Sequence, residues 1–319
     1  MAFLNTRRLK PAATSIMSEE SIKNTLQSRN GFTLLEVIVV IGIISLMVGI
    51  LVPVLYRVWE SQEIDTTKEN MIKLKEAMVG NPAQISNGVR TNFGFVGDLG
   101  QLPPNLDSLI SYTNTKGETF GPYLSGGIDP QSFKKDVWGT KEDPQGTDFI
   151  YTSTIITDAF GRRESAIIKS LGSDHAVGGT GTAEDIQILI DANEVFSASS
   201  ASCNILVRYV TPPASLFTAN ITVHIVYKNG EGADTEQTFT SPVTITGSSG
   251  NTENNYTFGL PTFALSKKLP VGMTTIWADI DRDSSGILLP SPAAGSPVHI
   301  AVNDRATTIY ANNLSISVP

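Results

Sequence analysis

The chain of 319 residues holds a single cysteine, Cys203, so it can form neither an internal disulfide nor a cysteine-based zinc site. Histidine is nearly as scarce. His175, His224 and His299 lie far apart in the sequence and leave little for a histidine-rich metal centre. Basic charge is short as well: Lys and Arg number 23 against 31 Asp and Glu, a net charge of −8, which is a poor match to a nucleic-acid binder. There is no phosphate-binding Walker loop, no Gly-x-Ser-x-Gly elbow and no His-Glu-x-x-His pair. Asp174 and His175 are adjacent, and neighbours in an extended loop point apart, so they make a poor catalytic pair. No enzyme is expected. An apolar fraction of 40% excludes a disordered chain, and at roughly 100–200 residues per domain the length suggests two folded units.

What the sequence does have is one long apolar run. Val37 to Leu55 (VIVVIGIISLMVGILVPVL) is 19 residues without a charge. As a helix it measures about 28 Å, close to the ~30 Å hydrocarbon core of a bilayer. Arg7, Arg8, Lys10, Lys23 and Arg29 precede it against Glu19 and Glu20, which keeps the N-terminus cytoplasmic and sends everything after Arg57 across the membrane. The run is too long for the apolar part of a secretory signal, and no small-residue cleavage site follows it. Instead it continues as helix. Met71, Leu74 and Met78 fall on one helical face, Glu69 and Lys73 form an i,i+4 pair, and Gly80-Asn81-Pro82 supplies a stop. Glu36 at the head of the run costs about 2.5–3.5 kcal/mol in hydrocarbon unless it sits at the headgroup interface or finds a cation at its own depth.

Gly31-Phe32-Thr33-Leu34-Leu35-Glu36-Val37, followed by an apolar run that contains Pro53, resembles the N-terminus of type IV pilins and their relatives. The resemblance implies cleavage by a prepilin peptidase between Gly31 and Phe32 and N-methylation at Phe32. It also implies pairing of Glu36 with the N-terminal amine of a neighbouring subunit, and a proline break in the helix at Pro53. Cleavage would create the very cation that Glu36 lacks, and a buried pair broken on one side costs about 3–5 kcal/mol, so Glu36 would act as an assembly check. A leader of 31 residues is long for such proteins; Met17 offers an alternative start with a shorter one.

From 81 to 195 short apolar runs alternate with Gly, Pro, Asp and Asn. Asn105 to Ile110 reads as a short helix after a loop, and Phe149-Ile150-Tyr151, Ala166-Ile167-Ile168 and Ile186 to Ile190 read as strands. The expected fold class is therefore α+β: a long N-terminal helix packed on a small antiparallel sheet, the pilin fold. Residues 32–190 resemble the major pseudopilin of type II secretion systems, on the prepilin N-terminus, Pro122-Tyr123-Leu124, Trp138-Gly139 and the loop from Ser170 to Ile186. That resemblance implies calcium in the loop, held by the Asp174 and Asp185 carboxylates, the Leu171 carbonyl and Ser173. Ala183 stands where relatives often carry a further acid. The alternative is a flexible Gly-rich loop with a solvated acidic edge.

Ser and Ala dominate residues 196–203, which read as a linker, and alternating β-type runs follow from Ile205 to Val302 with turn signals such as Asn229-Gly230 between them. Residues 204–319 are expected to form an all-β, immunoglobulin-like sandwich. Asp279, Asp281, Asp283, Ser285 and Gly286 resemble the opening of an EF-hand loop, but Pro292 stands where its closing Glu belongs, so a solvated hairpin tip is expected. The organisation is then leader 1–31, helix 32–80, globular domain 81–195, linker and sandwich. The implied function is a structural subunit of a type IV pilus or type II secretion-type filament, anchored in the bacterial inner membrane and then periplasmic or extracellular. Its partners would be prepilin peptidase, other pilin or pseudopilin subunits and the inner-membrane assembly platform. Two alternatives stand beside it: a minor pilin whose β-domain binds a surface or an exported protein, and an anchored binding protein that never assembles.

Overall fold

The computed structural model describes residues 32–124, 132–139, 146–159, 161–209, 217–245, 255–281 and 295–318. The leader, with Gly31 and Met17, lies outside the described residues, as do Asp283, Ser285 and Gly286. The chain divides into two compact units, Met1–Trp59 and Glu60–Pro319.

Helix α1 (Leu34–Val79, 46 residues) runs without interruption through Pro53. The expected break is not there. Proline withholds one backbone N–H from the ladder, and the helical turns on either side continue past that single gap. Within the first unit every described side chain of α1 is exposed. In the second unit the helix becomes one-sided: Thr67, Met71, Leu74 and Met78, spaced by four, three and four, are all buried. Gly80 ends it with φ of 76°, and its N–H bonds the Glu76 carbonyl at 2.7 Å.

The ridge of Met71, Leu74 and Met78 packs on the core of a first lobe with Phe95, Leu99, Leu109, Trp138, Ile168 and Ile190. Around it lie the hairpin β1 (Ile85–Ser86) and β2 (Val89–Arg90), the short helix α2 (Gly94–Leu99) and the pair β3 (Tyr112–Thr113) and β4 (Thr119–Phe120). The antiparallel sheet β5 (Ile150–Asp158), β6 (Gly161–Ser170) and β7 (Ile186–Ile190) has the order β5-β6-β7, and α3 (Ala192–Val195) follows it. Phe95 stands edge-on between Tyr112 and Tyr123, at centroid distances of 5.4 and 5.3 Å.

The second lobe is all β: β8 (Ser200–Tyr209), β9 (Phe217–Lys228), β10 (Asp234–Ile245), β11 (Asn255–Ala264), β12 (Gly272–Asp281), β13 (Val298–Val302) and β14 (Thr308–Val318). They form one sheet of order β10-β9-β12-β13 and another of order β11-β8-β14, with a shared core that includes Cys203, Ile205, Ile221, Ile225, Ile276 and Leu314. An immunoglobulin constant domain, its strands lettered in chain order, divides them ABED and CFG. Here the same lettering gives CBEF and DAG. The sandwich therefore differs from the immunoglobulin arrangement, because β8, the first strand, sits centrally and pairs parallel with β14, the last.

Residues 196–203, expected as a linker, are built into this lobe. Phe196 bridges Pro270, the Ser197 N–H bonds the Leu269 carbonyl at 3.0 Å, and β8 begins at Ser200. Ala198, Ala201 and Cys203 are buried: their small side chains read as tether composition but fill tight core positions. Cys203 is a core residue, and burial pushes its thiol up to about 11.

The lobes of the second unit meet along a built seam. The turn between β9 and β10 carries Glu231 in a left-handed conformation, φ 53°. Its carboxylate accepts from Tyr112 Oη at 2.7 Å and from the Thr115 N–H at 3.0 Å, while its carbonyl accepts from Asn114 Nδ2 at 2.8 Å. The Gly232 N–H bonds the Leu99 carbonyl at 3.2 Å. Gly100, φ 70°, must be glycine, since a Cβ there would lie 2.3 Å from the Lys228 carbonyl oxygen. Elsewhere the buried Arg90 donates to Asp304 at 3.0 Å and to the Val79 carbonyl at 2.6 Å.

Tyr112 and then the Thr115 N–H hold the Glu231 carboxyl below its ordinary value. A depressed carboxylate stabilises the fold above its unfolded pKa, about 4.3 for Glu, and that stabilisation is lost as pH falls through the folded value. Glu231→Gln is therefore expected to flatten the loss of thermal midpoint on acidification, and Glu231→Ala to speed amide exchange at Thr115 and Gly232 but not at Leu74. Thermal scans across that range and exchange by mass spectrometry read both.

Candidate functional site

The first turn of α1 is assembled by local chemistry. Thr33 is the N-cap: its carbonyl accepts from the Val37 N–H and its hydroxyl from the Glu36 N–H, each at 3.2 Å. Thr33-x-x-Glu36 is thus half of a capping box, and Glu36 sits where the positive end of the helix dipole favours a carboxylate. Phe32 is 78% exposed in front of it. Beyond the cap no apolar side chain of the span is covered, and among the described residues α1 is the one helix long and apolar enough to cross a membrane.

The Gly-rich loop between β6 and β7 is folded back on itself. Short 3-10 turns at Gly172–Asp174 and Gly181–Ala183 press together; a Cβ on Gly172 would lie 2.6 Å from the Thr182 carbonyl oxygen, and one on Gly179 2.1 Å from that of Ala183. Of the residues singled out from the sequence, Asp174 accepts from the Ala176 N–H at 3.0 Å, and Ser173 Oγ donates to Thr182 Oγ1 at 3.1 Å. Asp185 Oδ2 accepts from Lys169 Nζ at 2.8 Å and from the Gly178 N–H at 3.0 Å, and these contacts lower its pKa. Asp185 Oδ1 is buried without a hydrogen-bond partner. That oxygen is a hard donor of the kind calcium takes, while the other oxygen of the same carboxylate is held by Lys169. Asp174 and Ser173 are already engaged within the loop, and no group of three or more acidic, histidine or cysteine side chains suited to a metal occurs among the described residues.

A third cluster is not foreshadowed by the spacing of the histidines. On the outer face of the four-stranded sheet, His224 Nδ1 meets Glu236, and its Nε2 lies 3.1 Å from Asp279. The ring stacks on Trp277 at 3.7 Å, nearly parallel. The Asn229-Gly230 turn signal held the clue, because it folds β10 back on β9 and brings Glu236 beside His224. Asp279 and Asp281, expected in a solvated tip, lie on β12 and are 7% and 6% exposed.

Residues 26–52 match the family described as the prokaryotic N-terminal methylation motif. No curated protein and no solved structure matches the chain. With a prepilin-type motif set on a bare apolar helix, the N-terminal region is that of a type IV pilin-like protein. What the comparison shows is a prepilin-type motif, the kind cut by prepilin peptidase, on a helix long and apolar enough to cross a membrane.

Proposed function

We propose that this chain is a structural subunit of a type IV pilus or type II secretion-type filament. The peptidase cuts between Gly31 and Phe32, Phe32 is methylated at its new amine, and the subunit enters the filament through α1. The observation that carries this reading is the methylation motif lying directly on a helix whose apolar surface nothing covers. In the subunit alone that surface requires lipid; in a filament, neighbouring helices replace lipid. Glu36, already favoured by the dipole, then pairs with the amine of the adjacent Phe32, and the two charges satisfy each other in a dry bundle. The subunit waits in the inner membrane with its N-terminus cytoplasmic and its lobes outside, where the assembly platform collects it. No catalytic role is assigned to any residue.

The seam supports a β-lobe carried rigidly on the first lobe, as filament decoration, over a module swinging on a tether. A minor subunit using that lobe to bind a surface or an exported protein is the second reading. It is favoured by bulk: a second lobe as large as the first on every subunit would crowd a thin filament.

Calcium in the Gly-rich loop belongs to the same proposal. Asp185 Oδ1, with carbonyls from the Thr182–Glu184 turn and from Leu171, would hold it, and Asp174 and Ser173 would have to turn from their present partners. The ion would tie the two halves of the loop together.

Glu36→Ala is expected to leave insertion and cleavage intact and to reduce incorporation into sheared filaments at least tenfold. Mass spectrometry of the N-terminal peptide and filament yield read the two steps separately; normal yield from the mutant sinks the assembly role. For the loop, millimolar calcium should raise the thermal midpoint of the wild-type chain by roughly 2–4 °C, the shift that about 1 kcal/mol gives at this size. Asp185→Ala should abolish the rise, and a midpoint indifferent to chelator removes calcium from the proposal.

A further inference from the structure

One strand edge in the first lobe is left open. β5 pairs with β6 on one side, in a register that runs from Ile150–Lys169 to Asp158–Gly161 without a shift. On its other side the chain just before it is covered: the Phe149 N–H bonds the Lys134 carbonyl at 2.7 Å, and the Thr147 carbonyl accepts from the Asp136 N–H at 2.9 Å. The odd-numbered residues therefore turn their backbone groups away from β6. Cover stops at Phe149. Tyr151, Ser153, Ile155 and Thr157 continue the same side of the strand, and no strand pairs with them among the described residues. Open edges are ordinarily blunted by charge, proline, a bulge or brevity. β5 has nine residues, no bulge, no proline and no charge from Ile150 to Thr157. On it Ile150, Ile155 and Ile156 are 45%, 56% and 47% exposed.

We propose that a second copy of the chain pairs on this edge, β5 against β5, antiparallel about a two-fold axis. The open stretch runs from Tyr151 to Thr157, and its midpoint is Thr154. Laid over itself in full, it sets Thr154 against Thr154, Ser153 against Ile155, Thr152 against Ile156 and Tyr151 against Thr157. Every outward N–H then meets an outward carbonyl, because odd positions face odd positions. Moving the axis one residue toward Phe149 would drive the second copy's strand into Lys134, which already fills that side. The side chains agree with the backbone. Facing positions are β-branched, small or aromatic, Thr154 meets its own kind, and Ile156 comes diagonally beside the second copy's Ile150. Charge selects the occupant. The chain carries a net −8, so copies repel on average, and an uncharged stretch is where two can approach. The register also brings position 158 of each copy, an aspartate, to the end where the other holds Lys134. A two-fold contact of this kind is closed, since it uses the same strand on both copies and leaves none for a third. It is independent of assembly through α1.

The experiment is disulfide trapping in the full-length chain, in membranes and in detergent micelles. Facing Cα atoms at a pair without hydrogen bonds are about 4.5 Å apart, within the ~4.4–6.8 Å that a disulfide spans. Thr154→Cys should therefore crosslink to a dimer at least tenfold more than Thr157→Cys, whose two copies would stand about 20 Å apart along the pair. It should exceed Ser86→Cys, on the exposed β1–β2 hairpin, by as much. Cys203 does not interfere, being buried in the core of the β-lobe. Equal yields at 154 and 157 overturn the proposal, since a parallel pair or random collision gives both. No crosslink at either means that another segment or another protein holds the edge, which overturns it too. Should the cysteine variants fail to fold, amide exchange of the wild type in micelles at rising protein concentration decides. Protection that grows at Ser153 and Ile155 supports the pairing, and protection indifferent to concentration overturns it.

Discussion

A helix that buries nothing along its first 26 residues is the constraint on which the rest of the structure depends. Val37 to Leu55 exposes Val, Ile, Leu and Met on every side, and at ~25 cal/mol per Å² that much apolar surface cannot stay in water. Lipid or other copies of the helix must cover it. Both solutions put the same requirement on the residues at its head. A carboxylate in the first turn is tolerable at an interface, where the dipole and the Thr33 cap favour it, and becomes a strong constraint once neighbouring helices exclude water. Thr33 and Glu36 therefore serve local folding in the single chain and acquire a different burden in an assembly. The helix changes character only where the lobe begins: from Thr67 onward one stripe is buried and the opposite face carries Glu69 and Lys73 as an exposed ion pair at 2.8 Å.

That same stripe explains why the second unit is built inward from α1. Met71, Leu74 and Met78 form the ridge, the two methionines adapting to its uneven surroundings, and the β5-β6-β7 sheet and the aromatic group around Phe95 close over it. The β-lobe then takes its place by polar contacts rather than by a shared apolar core. Glu231 accepts three hydrogen bonds across the seam, and the buried Arg90, held in its own lobe by the Asn92 and Val79 carbonyls, reaches across to Asp304. Such a seam is specific but not adhesive: its members gain little by meeting and lose much by being left half-made. A lobe held this way keeps one orientation while its own core, from Cys203 to Ile316, remains self-sufficient.

The parts of this architecture that were legible in the sequence are those governed by local pattern. The apolar run, the three-and-four spacing after it, the stop at Gly80 and the strands at Ile150, Ala166 and Ile186 are all periodicity, and periodicity survives in a linear reading. What escaped depended on pairing between distant segments. The seven-stranded lobe could be counted almost completely, except for β14, whose Asn312-Asn313 pair interrupts the alternation. Its strand order could not be read, because β8 pairs parallel with a strand about a hundred residues away. The Ser- and Ala-rich stretch before it misled for a related reason: small residues suit both tethers and crowded cores, and composition cannot tell them apart. Gly94 to Leu99 was hidden as a helix by its glycines, which are poor helix formers but allow a close approach of other chain segments: a Cβ on Gly94 would lie 2.5 Å from the Ala77 carbonyl oxygen. The histidine cluster was invisible because two of its three members reach His224 only through the register of two separate strand pairs.

Register also sets how the β-lobe responds to its surroundings. Glu231 needs to be ionised to hold the seam, since Tyr112 and the Thr115 N–H both donate to it, so that contact weakens from the acid side. His224 and Glu236 sit on the strands of the same hairpin and Glu231 in its turn, so one contact joins strand to strand and the other lobe to lobe. Neither can compensate for the other, because the first depends on the register of β10 on β9 and the second on the turn that this register closes.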